Sequence, residues 1–369
     1  MMMTQPFPLH PIDNLYPVLK EHPDAWTHLQ ALWARGTKLL GSRLAILGGA
    51  MTWVSDPTLV GAMSNAGGFG VLASGAMSPD QLGEVIDETR RLTPGPFGVN
   101  LILLHPQITE MIAVCRARKV SHVFFAGGIP TKEQVRLVLE GGSFAIAFAP
   151  TGALAKRLVT MGVSGLIIEG TEAGGHIGPV SSSVLAQEIL PLIQDVPVFV
   201  AGGIGTGAMM LSYMRMGASG AQLGTRIVCA EESKAHPRFK QAFIRAQARE
   251  AVVSPQLDPR FPVIPVRALK NKGMQLFIEK QSDVIKRFDT GEISLEEGQL
   301  EIEHFWAGAL RRAVQDGDVE AGSLMAGQSV GQIKAVEPLR DILAGLLAQM
   351  LHDLGNKNNA IPNSTRAQG

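Results

Sequence analysis

The sequence is poor in cysteine, with two residues of this type, Cys115 and Cys229, among 369. Two cysteines provide neither a disulfide framework nor the ligand set of a structural zinc site, so both of these protein classes are excluded. So little cysteine is typical of a reducing compartment. We therefore expect a cytoplasmic protein that holds no metal ion.

An excess of charge of one sign and long apolar runs are lacking as well. Lys plus Arg and Asp plus Glu both total 33, so charge gives no reason to expect nucleic acid or an anionic membrane as a partner. No run approaches the roughly 20 apolar residues of a transmembrane helix. Residues 1–22 lack the basic and apolar regions of a secretory signal, and we expect none.

Glycine, by contrast, is abundant, with 41 of 369 residues against a usual share of ~7 %. The glycines stand in short clusters at the ends of apolar segments. These β-rich segments alternate with helical patterns, which implies parallel strands joined by right-handed crossovers. Eight such units predict an α/β protein, a TIM-type (β/α)8 barrel. The predicted strands are 44–47, 69–72, 97–103, 122–125, 143–149, 165–169, 196–201 and 219–224, and the predicted helices between them are 57–66, 79–91, 107–118, 131–140, 152–161, 183–193 and 206–216.

Seven predicted helices separate eight strands, so the barrel lacks its last helix. A more charged, largely helical stretch follows the eighth strand, and the amphipathic run 339–351 suits the missing helix. We therefore predict a barrel that a helical insert interrupts after strand eight. The predicted parts are an N-terminal helical extension (1–43), the barrel (44–229 plus 321–352), a substrate-side insert (230–320) and a disordered tail (353–369).

The loop after the sixth strand, GTEAGGHIG (170–178), is the longest on the predicted active-site face and is rich in glycine. Glycines let a ligand approach the backbone closely, and an imidazole is suited to proton transfer near neutral pH. We therefore predict a functional role for His176, with His105 at the end of strand three as its rival. Glu169, which ends strand six, either accepts a hydrogen bond from a ligand or orients His176. Glu172 is equally well a solvated loop residue.

Glycine clusters after strands seven and eight predict a phosphate site, because backbone N–H groups and a helix N-terminus face an anion there. The candidate contacts are Gly202, Gly203, Gly224 and Thr225. A dinucleotide-binding interpretation of GIGTGA fails, since no acidic residue follows the next strand before Glu231. Small residues after the first three strands would line the same rim, as would Asn100. A flat, largely apolar ligand with a phosphate tail, such as flavin mononucleotide (FMN), has the matching shape.

Seven segments then stand out in order between about residues 44 and 350: GGAM, SNAGGFGVLASGAM, PFGVNLIL, IIEGTEAGGHIG, VPVFVAGGI, GAQLGTR and SLMAGQSVG. Together they resemble the nitronate monooxygenase (2-nitropropane dioxygenase) family, which includes FMN-dependent enoyl-acyl-carrier-protein reductases. The resemblance implies a TIM-like barrel with a helical insert, bound FMN, and His176 as the catalytic acid or base. It places the FMN contacts on Gly48, Ala50, Met51, Asn100, Glu169, Gly174, Gly175, Gly202, Gly203, Gln222, Gly224 and Thr225.

Two departures from the family pattern bear on function. The strand-four segment FFAGGIP differs, which leaves the substrate side of the pocket open, and residues 1–43 have no counterpart. The resemblance implies oxidation of alkyl nitronates with O2 through the flavin as the main expectation. The alternative is reduction of enoyl thioesters with NAD(P)H as co-substrate, which the C-terminal stretch 308–339 favours. A non-catalytic flavin-binding protein is the third hypothesis. The expected partner is a small-molecule substrate, and a homodimer is the assembly to test.

Overall fold

A computed structural model describes residues 11–261 and 265–356, and for residues 303, 304, 306 and 307 it describes the backbone only. Eight parallel strands of this part of the chain close into a barrel, in which the last strand pairs with the first. Each strand lies within two residues of its predicted bounds, so the predicted (β/α)8 barrel is confirmed. The strands are β1 (Ile46–Gly48), β2 (Phe69–Ala73), β3 (Phe97–Ile102), β4 (His122–Ala126), β5 (Phe144–Phe148), β6 (Gly165–Glu169), β8 (Val198–Ala201) and β9 (Gly220–Leu223).

Helices fill the connections between these strands. Six of them begin after a Ser, Thr or Asp whose side-chain oxygen accepts a hydrogen bond from the backbone N–H three residues on. This hydrogen bond satisfies one of the free N–H groups of the first turn and so favours the start of a helix at that position. The capping residues are Asp56, Ser78, Thr131, Thr151, Ser181 and Thr206. The helices are α5 (Pro57–Asn65), α6 (Pro79–Leu92), α7 (Ile108–Ala117), α8 (Lys132–Glu140), α9 (Gly152–Thr160), α10 (Ser182–Ile189) and α11 (Gly207–Arg215).

A last long helix, α15 (Leu339–Gly355), covers the predicted eighth barrel helix and packs against α11. It runs slightly past the predicted start of the tail at 353, and residues 357–369 lie outside the described residues. Of the predicted extension, the described part forms short helices, of which α3 packs against α15. These helices are α1 (Ile12–Leu15), α2 (Val18–Glu21), α3 (Pro23–Leu32) and α4 (Ala34–Leu40). No helix of the described part is long and apolar enough to cross a membrane.

The stretch predicted as an insert carries more than helices. It contains α12 (Pro237–Arg245), α13 (Lys272–Asp289) and α14 (Leu295–Arg311), but also the strands β10 (Ala251–Val253) and β11 (Val266–Leu269). These two strands form an antiparallel sheet with β7 (Gly175–His176), a short strand inside the loop after β6. The sequence did not indicate this sheet, because its strands are too short to show alternation. A buried cluster separate from the barrel core lies in this stretch: Phe261, Ala268, Met274, Phe277, Val284, Ile302 and Ala309.

A buried histidine with paired polar atoms lies at the N-terminal end of the barrel. This end is opposite the one at which the glycine-rich loops follow the strands. His122 at the start of β4 is 2 % exposed, and its Nε2 donates to the carbonyl oxygen of Leu39 at 2.9 Å. Its Nδ1 lies 2.9 Å from the Ser121 hydroxyl. Burial lowers the pKa of His122 to about 4, so the ring is neutral at physiological pH. This side chain therefore joins the N-terminal helices to the barrel.

We expect the protein to lose stability through His122 as the pH falls. In the unfolded chain the imidazole takes up a proton near pH 6.5, whereas in the fold it does so only near pH 4. Between pH 7 and pH 5 the free energy of unfolding should drop by about 2 kcal/mol on this account, since one pKa unit corresponds to about 1.4 kcal/mol. Urea unfolding at both pH values measures the change. In His122→Gln the drop should be smaller by this amount, and an equal drop would contradict the assignment.

Candidate functional site

The predicted catalytic histidine lies on an ordered strand rather than in an open loop. His176 is in β7, where it pairs with Val266 of β11, and the N–H of the next residue, Ile177, donates to the carbonyl oxygen of Pro265 at 3.0 Å. The side chain of His176 is exposed. The backbone of His176 is therefore held by a strand from outside the barrel, while its side chain is exposed.

A buried arginine fixes the same loop. Arg267 of β11 is 6 % exposed, and its Nε donates to the carbonyl oxygen of Thr171 at 2.8 Å. Its Nη1 donates to the carbonyl oxygen of Ala251 in β10 at 2.6 Å. A guanidinium that bridges two backbone segments restricts both of them. The position of His176 therefore depends on a residue about ninety positions further along the chain.

The glycines of this loop have a packing role that the sequence did not reveal. A Cβ on Gly174 would lie 2.5 Å from the backbone nitrogen of Gly327, which no real side chain tolerates. The C-terminal segment that contains Met325 and Gly327 thus packs directly against the His176 loop. Gly175 has φ +79°, a conformation that favours glycine, and the atom nearest to its would-be Cβ is the sulfur of Met325 at 3.6 Å.

Three polar side chains face the barrel interior near the carboxyl ends of the strands. Glu169, Ala201 and Gln222 lie opposite one another on neighbouring strands, so their side chains point to the same face. Asn100 lies opposite Phe124, whose ring meets that of Phe69 inside the barrel at a centroid distance of 6.0 Å. Asn100, Glu169 and Gln222 are therefore inward-facing residues of the same barrel mouth.

These three side chains form no hydrogen bond among the described residues, and Asn100 and Gln222 are 7 % and 9 % exposed. Their polar atoms are not fully buried, so they remain accessible from the mouth. Burial raises the pKa of Glu169 to about 7. The inward-facing position of Glu169 at the mouth is compatible with the expected hydrogen bond to a ligand. Three accessible, inward-facing polar side chains without a protein partner are suited to hold the polar edge of a ligand.

The loops after β8 and β9 present the predicted phosphate contacts. Gly202 and Gly203 both have left-handed φ angles, +90° and +71°. In the described part of the chain the backbone N–H groups of Gly203, Gly224 and Thr225 donate to no acceptor. Thr225 begins a 3-10 turn, whose first N–H groups lack partners within the turn. Unpaired N–H groups from two adjacent loops have the geometry for binding an anion.

The loop after β1 carries the remaining predicted contacts. Ser55 accepts a hydrogen bond from the N–H of Met51 at 2.9 Å and donates to the carbonyl oxygen of Gly49 at 2.7 Å. It is not among the residues predicted from the sequence. Gly48 leaves little space, because a Cβ there would lie 3.1 Å from Ile227. Ala50 and Met51 are half-buried. The loop is thus a rigid part of the barrel mouth.

Two further residues receive roles that differ from the sequence expectation. Glu172 is not a solvated loop residue, since its carboxylate accepts hydrogen bonds from the N–H (2.8 Å) and the hydroxyl (3.1 Å) of Ser182 at the start of α10. His105, the rival of His176, accepts a hydrogen bond through Nδ1 from the N–H of Gln107 within its own turn. Arg267 was missed because it contacts backbone that only the fold brings near, whereas Ser55 and Ser182 contact nearby loop residues through single hydrogen bonds that leave no pattern in the sequence. Gly327 lies in a glycine cluster that the sequence does show.

Comparisons with known proteins agree with this geometry. The model of the nitronate monooxygenase family matches residues 35–118 and 107–349. A solved structure, that of FabK from Thermotoga maritima, is 36 % identical, covers 87 % of this chain and 96 % of its own, and superposes with a TM-score of 0.78.

Two curated relatives are similar to the chain over most of its length. A probable nitronate monooxygenase of Staphylococcus saprophyticus is 27 % identical over 338 residues, which cover 77 % of this chain and 94 % of that protein. A (3aS,4S,5R,7aS)-5-hydroxy-7a-methyl-1-oxo-octahydro-1H-indene-4-carboxyl-CoA dehydrogenase of Rhodococcus jostii is 26 % identical over 336 residues, 85 % of this chain and 95 % of that protein. The chain therefore belongs to the nitronate monooxygenase family, whose members are flavin-dependent oxidoreductases.

Proposed function

We propose that the protein is an FMN-dependent oxidoreductase in which His176 exchanges a proton with the substrate. The observation that carries this proposal is the set of unpaired, inward-facing side chains Asn100, Glu169 and Gln222 at the mouth beside the His176 loop. An amide can donate and accept hydrogen bonds, and a carboxyl group with a pKa of about 7 is protonated in a large share of molecules at neutral pH. Together they suit the mixed donors and acceptors on the edge of a flavin ring.

The phosphate of FMN has a matching site in the same mouth. The unpaired N–H groups of Gly203, Gly224 and Thr225 would hold it, and the left-handed glycines Gly202 and Gly203 allow the backbone to come close. When bound, the flavin would supply the electron transfer. The chain itself would bind and orient the cofactor and move the proton.

His176 suits proton transfer because of where its backbone is held. The pairing of β7 with β11 and the hydrogen bond from Arg267 to Thr171 fix the loop, while the side chain of His176 is exposed. An imidazole changes its charge near neutral pH, so the same ring can donate or accept a proton. We assign it the role of catalytic acid or base.

For the reaction we propose oxidation of alkyl nitronates with O2. The family model spans nearly the whole described barrel, and the relative from Staphylococcus saprophyticus is named a probable nitronate monooxygenase. In this reaction His176 would stabilise the nitronate anion, or would take a proton from the carbon of a neutral nitroalkane.

Reduction of enoyl thioesters with NAD(P)H is the second candidate, because the FabK structure is 36 % identical over 87 % of the chain and the Rhodococcus jostii relative is named for a CoA-linked substrate. FabK belongs to the enoyl reductase branch of the family. In this reaction His176 would donate a proton to the α-carbon of the thioester.

We also propose that residues 230–320 form the substrate-side part of the enzyme. Strand β11 from this stretch pairs with β7, which carries His176, and Arg267 holds the loop from the same side. A segment that positions the proton-transfer residue from outside the barrel is suited to shape the pocket above it.

Replacement of His176 by alanine should leave FMN bound while turnover falls by about two to four orders of magnitude, the usual contribution of a general acid or base. The reason is that the proposed role of His176 lies in proton transfer, whereas the strand pairing that holds its loop is made by the backbone. The visible spectrum reports the cofactor, and steady-state rates report turnover. The same change at His105 is the control and should alter the rate little. Full activity of His176→Ala would refute the assignment.

Replacement of Asn100 by leucine should weaken FMN binding about tenfold or more, because the unpaired amide would no longer meet the ligand. The apoprotein should unfold at about the same temperature, since the Asn100 amide forms no hydrogen bond with the described part of the chain that the substitution would break. Flavin fluorescence quenching measures the dissociation constant and thermal unfolding measures the stability. His122→Gln, at the opposite end of the barrel, is the matched control, which should keep the wild-type FMN affinity. Unchanged affinity in Asn100→Leu would rule out the proposed contact.

The two candidate reactions give opposite results in one anaerobic experiment. The flavin-loaded protein is mixed with propionate 3-nitronate, or with NADH or NADPH, and the absorbance of oxidised flavin is followed. Bleaching by the nitronate, and turnover when O2 is admitted, are expected for the main proposal. Rapid bleaching by a nicotinamide together with turnover of crotonyl thioester would overturn it in favour of the reductase.

A further inference from the structure

A tryptophan with an unusual backbone conformation lies beside the cofactor-binding loop. Trp53 has φ +68°, a left-handed conformation that is rare for a bulky residue, and its side chain is 36 % exposed. Strained backbone of this kind persists only where the surrounding structure imposes it, and it is concentrated at functional sites. Trp53 is therefore a candidate for a role at the mouth.

The turn that holds Trp53 belongs to the barrel mouth. It runs from Met51 to Ser55, with the N–H groups of Val54 and Ser55 donating to the carbonyl oxygen of Met51 at 3.0 and 2.8 Å. The sulfur of Met51 lies 3.7 Å from the position of a Cβ on Gly224, in the predicted phosphate loop. Trp53 thus extends outward from the same turn that directs Met51 toward the cofactor region.

An arginine from the end of α14 lies over this indole ring. The guanidinium carbon of Arg311 is 5.8 Å from the ring centroid of Trp53, within the range of a cation–π interaction. Its Nε donates to the side-chain oxygen of Gln315 at 2.9 Å. Gln315 belongs to a π-helical turn, Arg312–Asp316, and such turns are frequent at functional sites.

The charge of Arg311 is not neutralised by a neighbour. Among the described residues no carboxylate lies within 4 Å of its guanidinium, and its Nη groups donate to no acceptor. The next residue, Arg312, differs, since it forms an ion pair with Asp318 at 3.5 Å. Asp56, the residue directly after the Trp53 turn, forms an ion pair with Lys234 at 2.9 Å. A guanidinium that is fixed by its face and its Nε, with both Nη groups available, has the geometry for binding an oxyanion.

We propose that Arg311, held in place by Trp53 and Gln315, binds an anionic oxygen group of the substrate at the barrel mouth and so determines substrate specificity. The group is a carboxylate or nitronate if the enzyme oxidises nitronates, and a phosphate if it reduces thioesters that carry a phosphorylated tail. The inference rests on the proposed function only in that the substrate enters at this mouth. Binding of the anion itself requires neither reaction.

The test measures binding to the flavin-loaded protein without turnover. Succinate serves as the carboxylate probe and coenzyme A as the phosphate probe, and the dissociation constants are measured by isothermal titration calorimetry. Arg311→Gln removes the charge at nearly constant size, Arg311→Lys keeps the charge but removes the planar fork, and Arg312→Gln is the matched control for a neighbouring charge. Thermal unfolding and the flavin spectrum show that each variant is folded and loaded.

We expect one of the two probes to bind the wild type, and the identity of that probe assigns the source of the anion. Its dissociation constant should rise about tenfold in Arg311→Gln, rise less in Arg311→Lys and stay within about twofold in Arg312→Gln. In the reaction that the enzyme performs, KM should rise in Arg311→Gln while kcat stays unchanged. No binding of either probe to the wild type, or equal weakening in the two glutamine variants, would overturn the proposal. Failure of both reactions with intact probe binding would refute the proposed function and leave the anion site standing.

Discussion

The closing contact between β9 and β1 is the constraint on which the rest of the structure depends. The N–H of Ala221 donates to the carbonyl oxygen of Ala45, and a Cβ on Gly220 would lie 2.2 Å from that same oxygen, so the strands can approach only because residue 220 is glycine. Closure brings the carboxyl ends of all eight strands to one mouth. Met51, in the loop after the first strand, thereby comes next to Gly224, in the loop after the last strand of the barrel.

The polar side chains inside the two ends of this barrel differ in whether they have hydrogen-bond partners. At one end His122 is neutral and both of its ring nitrogens lie near protein oxygens, which is the ordinary state of a buried side chain. At the other end Asn100, Glu169 and Gln222 are unpaired within the described part of the protein. Their polar atoms remain accessible from the mouth, which suits the proposed ligand site. The unpaired N–H groups after β8 and β9 suit an anion in the same way.

The catalytic loop is supported from outside the barrel. Strand β11 pairs with β7, Arg267 bridges the loop to β10, and the segment around Gly327 packs against Gly174. The exposed imidazole of His176 is therefore positioned by chain that follows the barrel strands. The same later chain contributes Arg311, whose guanidinium lies over Trp53 in the loop after β1. In the proposed function the barrel would provide the cofactor contacts, and the later segments would position the groups that meet the substrate.

The sequence by itself determined the barrel and the loops in which the candidate site residues lie. Eight apolar segments at regular spacing define parallel strands, and glycine clusters at their ends mark the loops that must come near a ligand, since both signals are local. The tertiary structure alone decided the three-stranded sheet under His176, the bridging role of Arg267 and the position of Arg311 on Trp53. Each of these joins residues far apart in the chain through strands of two to four residues or through a single side chain. Such contacts leave no periodicity, so only the folded chain shows them.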